Sequence, residues 1–161
     1  MRFYQPPGGS SSKRGAGCMI MARKTGRFLM CKRAANTPYP LTWASFGGKA
    51  EFNESAEQTA RREAFEETGH RIDGPVEHLY HFELSTFSFD TFIATVEEEF
   101  EPRLNDEAED ASWMTLEEIP ENVHDGLLAI LEDRITVNRL IRHVESTSGR
   151  WCDFDRIYRK T

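Results

Sequence analysis

Apolar and polar positions change rhythm several times along these 161 residues, and each change predicts an element. Residues 16–22 and 27–33 are two apolar runs parted by Lys24-Thr25-Gly26, which predicts a β-hairpin. Pro38 and Pro40 predict a loop over 36–40. The short aromatic stretch 41–46 then delivers the chain to Gly47-Gly48, where a backbone without Cβ turns tightly. Ala56, Ala60 and Ala64 recur every fourth residue and predict a helix over 55–68, its small-residue stripe pressed on a sheet and Gly69 at its C-cap. Residues 75–85 and 87–97 alternate as strands, the second reading F-S-F-D-T-F-I-A-T-V. An acidic loop over 102–110 leads to a short strand around Ser112-Trp113-Met114. Thr115-Leu116-Glu117-Glu118 has the form of a capping box opening a turn that Pro120 closes. Leu127, Ile130, Leu131, Ile135, Leu140, Ile141 and Val144 keep helical spacing and predict one long amphipathic helix over 123–144.

These elements sort into one domain over residues 16–148, long enough to bury a core, with no internal repeat. Residues 1–15, carrying Pro6-Pro7-Gly8-Gly9 and then Ser10-Ser11-Ser12, read as a flexible N-terminal arm, and 149–161 as a C-terminal tail. Mixed strands with two substantial helices make the chain α+β. No run approaches the roughly 18 apolar residues of a membrane span, and the N-terminus lacks an apolar signal segment, so no membrane partner is expected. Cys18, Cys31 and Cys152 are odd in number, lack metal spacing and sit mostly in apolar runs. They are expected to be reduced and buried, which favours a cytoplasmic home. A formal charge of −7 argues against a nucleic-acid binder, which would carry a basic stripe. It leaves a nucleotide-type small molecule open, because metal ions screen acidic groups from a polyphosphate.

The chemistry is concentrated in residues 48–70. Glu63, Glu66 and Glu67 stand at i, i+3 and i+4, on one helix face about 5–6 Å apart. Three crowded carboxylates repel one another, and a hard divalent cation reverses that sign because its charge becomes the largest local term. Taken alone, such a cluster is more often a solvated acidic face on a surface helix. The residues around it decide between the two. Gly48, Glu54, Arg62, Glu63, Glu66, Glu67 and Gly69 resemble the Nudix box at all seven invariant letters, with Ala64 in its first apolar slot. Seven letters at fixed spacing have a chance probability on the order of 10⁻⁷ per start position. Two positions depart from the pattern: His70 stands where the family has an aliphatic residue, and Asn53 where a Gly often precedes the first Glu. Neither is a metal-binding letter.

The resemblance implies a Nudix-type α/β/α sandwich, a mixed sheet packed between helices. It implies a pyrophosphohydrolase that uses Mg²⁺ or Mn²⁺ as Lewis acid, water activator and template on a nucleoside diphosphate-linked substrate, of nucleoside triphosphate or nucleotide-sugar type. Glu63, Glu67, Glu66 and Glu51 are the expected metal ligands, Glu51 falling where relatives read G-G-x-x-E. Arg62 would orient a helix carboxylate by charge-assisted hydrogen bonds; the plainer reading is a surface ion pair. Glu54 has two readings, metal ligand or partner of the helix dipole. In several relatives the general base is a loop glutamate ahead of a Trp-bearing strand, which here points to Glu107 and then Glu109, six and four residues before Trp113. Solvated loop charges are the alternative for both, and Glu66 joins them and Arg62 as a catalytic candidate. Gly48, Trp43 and Phe46 are the expected substrate contacts, with Phe89 a further ring able to stack on a base; a core role is the alternative for each ring. No Pro stands near Ser85-Thr86, the family's mark of ADP-ribose, and Phe87 and Phe89 replace the Tyr that marks dinucleoside polyphosphates. A non-catalytic nucleotide-binding or sensor module is the competing reading, opposed by the intact metal letters. An isomerase-like relative lacks its cysteine here. A homodimer stands open among the expected partners.

Overall fold

The structure, a computed structural model, describes residues 13–158. Its elements in chain order are β1 (Lys13–Ala22), β2 (Phe28–Arg33), β3 (Trp43–Ala44), β4 (Phe46–Lys49), α1 (Ala56–Thr68), β5 (Val76–Leu84), β6 (Phe87–Val96) and β7 (Ala108–Met114). A 3₁₀ turn (Leu116–Glu118), α2 (Asp125–Glu132), α3 (Arg134–Ser148) and α4 (Phe154–Ile157) follow. The strands form one mixed sheet in the order β3-β2-β1-β6-β5, with β4 added to β1 and β7 to β2. β1 runs parallel to β6 in unbroken register from Lys13↔Phe87 to Ala22↔Val96; the other pairings are antiparallel.

Alternation along β1 builds a core on each face of this sheet. Ala16, Cys18 and Ile20 point one way, against Ala60 and Ala64 of α1. Met19 and Met21 point the other, against Leu127, Ile130, Val137, Leu140 and Val144 of α2 and α3. The result is the expected α/β/α sandwich. The alanine stripe explains how α1 lies so close: small side chains let its backbone approach the sheet, and Glu67, three residues beyond Ala64, is carried inward with it.

Helix α1 begins and ends where the sequence signals it. Ser55 caps its N-terminus in a capping box with Gln58 (3.1 and 2.8 Å), and Gly69 closes it at φ 75°. Four expectations need correction. The arm ends sooner than Gly15, because Lys13–Gly15 pair with β6 through backbone groups that need no apolar side chain; residues 1–12 lie outside the described residues. The helix expected over 123–144 is two, since the Asp133 carboxylate accepts from Thr136 N–H (3.2 Å) and starts α3 afresh. β7 begins at Ala108, inside the expected loop, and a bulge opposite Lys32/Arg33 marks its entry. Residues 149–158 are no loose tail: Cys152 and Ile157 are buried in the α2–α3 core, and Arg150 forms a two-pronged ion pair with Glu117 (3.0 and 3.1 Å).

The three thiols are buried and unpaired, and burial pushes Cys18 and Cys31 up to about 12. Among the described residues no helix is long and apolar enough to cross a membrane.

Candidate active site

Strand β4 and helix α1 meet at the two glycines. The Gly47 N–H donates to Glu67 Oε1 (3.3 Å), fixing a carboxylate that is 8 % exposed. Gly48 faces Glu63, whose carboxyl atoms lie 2.5–2.7 Å from where a Cβ would stand. Only glycine leaves that carboxylate its place. Between β4 and α1 the chain turns through Asn53 at φ 60°, a left-handed conformation that Asn tolerates better than most residues. A glycine signal thus gives way to an asparagine with the same backbone freedom.

Arg62 organises the glutamates. Its Nε–H donates to Glu54 Oε2 (2.8 Å), Nη1 to Glu63 (3.0 Å) and Glu66 (3.2 Å), and Nη2 to Glu54 Oε1 (3.0 Å) and the Lys49 carbonyl (2.9 Å). The five N–H groups of a guanidinium are thereby all engaged. Glu54 also accepts from the Thr59 hydroxyl (2.6 Å) and the Glu51 N–H (3.0 Å). These bonds, Arg62 foremost, hold its carboxyl down at about 2. Glu54 is accordingly tied into the loop and helix, and Glu51 stands exposed at the rim, 3.8 Å from Arg62.

Glu63 and Glu67 behave oppositely. Burial raises both acids, Glu67 well above the usual range, and the two share a hydrogen bond. Two inward carboxylates that resist joint ionisation are a site waiting for positive charge. The donors are hard oxygens without thiol or imidazole, which fits Mg²⁺ or Mn²⁺. Among the described residues no three Asp, Glu, His or Cys side chains already form a metal cage. Mg²⁺ needs none, since it is commonly held by one or two carboxylates and keeps several waters.

The loop before β7 closes the other side. Arg103 N–H donates to the Thr68 carbonyl (2.7 Å), Asn105 to the Glu66 carbonyl (3.4 Å), and His70 stacks on Phe100 at 3.9 Å. His70 is therefore a packing residue at the helix exit. Glu107 is half-buried there and its charge, with that of Glu67, acts on the buried Arg33. Glu109 points elsewhere, exposed and 3.4 Å from Lys32, because the bulge turns it out of line. The two loop candidates thus differ in surroundings: Glu107 is half-buried and acts on Arg33, and Glu109 pairs with a lysine.

A cavity of about 550 Å³ opens on the opposite face of the sheet. Tyr39, Tyr80, Phe82, Phe87 and Phe89 supply rings to its wall, with Lys13, Ser45, His124 and Asp125 as polar members. Phe89 also packs against Gly47, so one peptide separates the cavity from Glu67. Of the expected substrate contacts, Phe46 is buried in the α1-side core and Trp43 packs into the α2–α3 core; neither lines this cavity. Phe46 points inward because it shares the pairing position of Cys18, which faces α1. Phe89 does line it. His124 and Arg33 are missing from the sequence reading. A histidine at a helix N-cap, where Ser, Asp or Asn is usual, was the available signal for the first. The second carried none beyond being a charge within an apolar run.

Comparison with known proteins identifies the family and the fold. The NUDIX domain profile matches residues 11–133. A nucleoside triphosphatase, NudI, of Enterobacter sp. (strain 638) is 30 % identical over 123 residues, 63 % of this chain and 82 % of that protein. The MutT protein of Methanosarcina mazei Go1 superposes with a TM-score of 0.62 at 25 % identity, covering 82 % of this chain and 94 % of its own. A MutT/nudix family protein of Enterococcus faecalis matches with a TM-score of 0.57 at 23 % identity over 68 % of this chain, which spans 46 % of that protein's length.

Proposed function

The chain belongs to the Nudix family of pyrophosphohydrolases, and from that premise we propose that it hydrolyses a nucleoside triphosphate-type substrate with Mg²⁺ or Mn²⁺. The observation that carries this reading is the pair of buried, mutually raised carboxylates, Glu63 and Glu67, held at Gly47-Gly48 beside a ring-lined cavity. The 30 % identical relative being a nucleoside triphosphatase favours a triphosphate over a nucleotide sugar.

Glu63 and Glu67 are the residues that would hold a divalent cation, which would supply positive charge to the phosphate oxygens and lower the pKa of water. Glu66 and Glu51 stand nearer solvent and would add negative charge at the rim of that site. Arg62 keeps Glu63 and Glu66 aimed through its bonds to them, while its grip on Glu54 anchors the loop. Glu107 is the proposed general base, taking a proton from the attacking water as the water oxygen bonds to phosphorus and the anhydride P–O bond breaks. Glu109 is not proposed for that role, given its pairing with Lys32. Three reduced, buried thiols suit the cytoplasm.

The test is metal-dependent release of phosphate or pyrophosphate from a panel of nucleoside triphosphates, nucleotide sugars, ADP-ribose and dinucleoside polyphosphates, with Glu67→Gln alongside. Turnover of a triphosphate that needs Mg²⁺ or Mn²⁺ and falls at least tenfold in Glu67→Gln is expected. Turnover unchanged in that variant, or absent across the triphosphates, would refute the proposal.

A further inference from the structure

Strand β5 ends one side of the sheet, and among the described residues β6 is its only strand neighbour. Its other edge therefore turns backbone N–H and C=O groups outward, as a template on which another strand can pair. The two halves of that edge differ. Between His78 and Tyr80 the pairing with β6 slips register, and Arg139 of α3 donates to the carbonyls of Leu79 (2.8 Å) and His78. A bulge and a covering side chain both keep an edge from recruiting a second strand. Residues 80–84, Tyr-His-Phe-Glu-Leu, have neither device and contain no Pro or Lys; their register with β6 runs unbroken from Tyr80↔Thr91 to Leu84↔Phe87.

Which backbone groups face outward follows from the turn. Leu84 and Phe87 flank the two residues Ser85-Thr86 and so form the hydrogen-bonded pair that ends the hairpin. Alternation then points the backbone groups of Leu84 and Phe82 at β6, and those of Glu83 and His81 away from it. The side chains alternate as well. Tyr80, Phe82 and Leu84 stand on the cavity face, Leu84 being 56 % exposed. His81 and Glu83 stand exposed on the other face, 3.5 Å apart. The Asp90 carboxylate, which also meets His78, accepts from His81 Nδ1 at 2.8 Å. That bond raises the His81 pKa, so the imidazole carries positive charge over more of the neutral range.

We infer that residues 80–84 are the contact surface for a second copy of this chain, the two β5 strands pairing antiparallel about a two-fold axis at Phe82 so that their sheets run on as one. Symmetry and the backbone select that register. Centred on Phe82, His81 of each copy meets Glu83 of the other, and each pair exchanges both N–H···O bonds through groups that already face outward. Opposite charges then lie across the seam twice, while on the cavity face Phe82 meets Phe82 and Tyr80 meets Leu84. Centred on His81, the seam would need the Leu79 carbonyl that Arg139 holds. Centred on Glu83, it would set two carboxylates face to face. A half-residue shift would bring outward groups against inward ones. Each Leu84 thereby covers the rim of the other copy's cavity at Tyr80, and a two-fold pairing stops at two copies.

A seam this short belongs with the weak interfaces, so sedimentation of the whole chain should give a dissociation constant of about 1–100 µM. Glu83→Lys and His81→Glu each set like charges across the seam at both crossings and should weaken self-association about tenfold or more. Mixed in equal amounts, the two variants restore opposite charges at both crossings, and association should return to within about threefold of the unaltered chain. Both positions are exposed, so a thermal melt of each variant should move little. Glu83→Pro reads the backbone part, since it removes an outward N–H and leaves the ladder to β6 whole; it too should weaken association about tenfold. A chain that stays monomeric above that concentration range would overturn the inference. So would association that Glu83→Lys and Glu83→Pro leave within about threefold, growth beyond two copies, or a mixture no stronger than either variant alone.

Discussion

One methyl group at Gly48 would separate fold from chemistry. A Cβ there would stand 2.5 Å from both Cδ and Oε1 of Glu63 and 2.7 Å from Oε2. Ordinary contact is about 3.5 Å, so the carboxyl group must withdraw by about 1 Å. It can do so, because it is the end of a flexible side chain. The Gly48 backbone imposes no strain of its own, being a strand residue paired with Ala16 and outside the left-handed region. Gly48→Ala should consequently cost at most about 1 kcal/mol of stability, a melting shift of about 3 °C for a domain of this size. Its effect on turnover is of another order, since a misplacement of about 1 Å at a reacting centre costs about 10²-fold. The assay is kcat/KM on the best triphosphate across a Mg²⁺ titration, with a thermal melt on the same sample. Turnover reduced about 30- to 100-fold, a weaker apparent metal affinity and a nearly unchanged melt are expected. Gly47→Ala gives the contrast: there the Cβ meets the Gly17 Cα (2.8 Å) and the Ala16 carbonyl (2.9 Å), backbone atoms that do not yield, and the fold itself should fail. Activity of Gly48→Ala within threefold of wild type would refute the reasoning, since Glu63 would then not act from where it sits. A melt lowered by 10 °C or more would refute it from the other side.

Three further outcomes follow. Glu107→Gln should lower kcat by about 10²-fold or more with little change in apparent metal affinity, whereas Glu109→Gln should stay near wild type; similar activity in both singles and the double variant would remove the loop base. Stability should fall as pH drops from 6.5 toward 4, because the unfolded imidazole of His124 binds a proton there and the folded one, at about 4, does not. The loss is at most about 3 kcal/mol, and chemical denaturation of His124→Asn should show a flatter profile over that window. Glu54, held near 2, adds acid sensitivity only below its ordinary range, while the raised Glu63 and Glu67 oppose it. Ending the chain at Gly149 removes buried Cys152 and Ile157 and leaves Glu117 without Arg150, so a melting point lower by about 10 °C is expected, and an unchanged one would show that residues 150–158 contribute nothing.

The metal-side half of the site is legible in the sequence because its geometry is local. Glu54, Arg62, Glu63, Glu66 and Glu67 lie on one helix and the loop feeding it, so residue spacing alone sets which of them meet. The cavity is otherwise. Its wall draws on β1, the residue-39 loop, β5, β6 and the start of α2, and those segments become neighbours only through the parallel β1–β6 register. An aromatic just before the glycines therefore suggested a stacking surface in Phe46, when strand parity had already turned it inward. The break at Asp133 escaped notice for a related reason. Ile130 and Leu131 before it, and Val137 and Leu140 after it, fill the same core, so the apolar rhythm runs across a cap that periodicity does not register. Among the described residues after Gly149 only Cys152 and Ile157 are buried, too few to form a pattern.

The long β1–β6 ladder bears on how the chain assembles as it is made. Every rung joins residues 74 positions apart, from Lys13↔Phe87 onward, so the central strand cannot gain its parallel neighbour until β6 has emerged. At about 5–20 residues per second, Glu67 precedes Val96 by roughly 1.5–6 s of synthesis. During that interval α1 has only the β1–β2 and β4 side of the sheet to rest on, and non-local pairing of this kind closes slowly. Substitutions that weaken the ladder should lower the yield of folded chain through aggregation during biosynthesis, while the molecules that do complete it keep an intact carboxylate cluster.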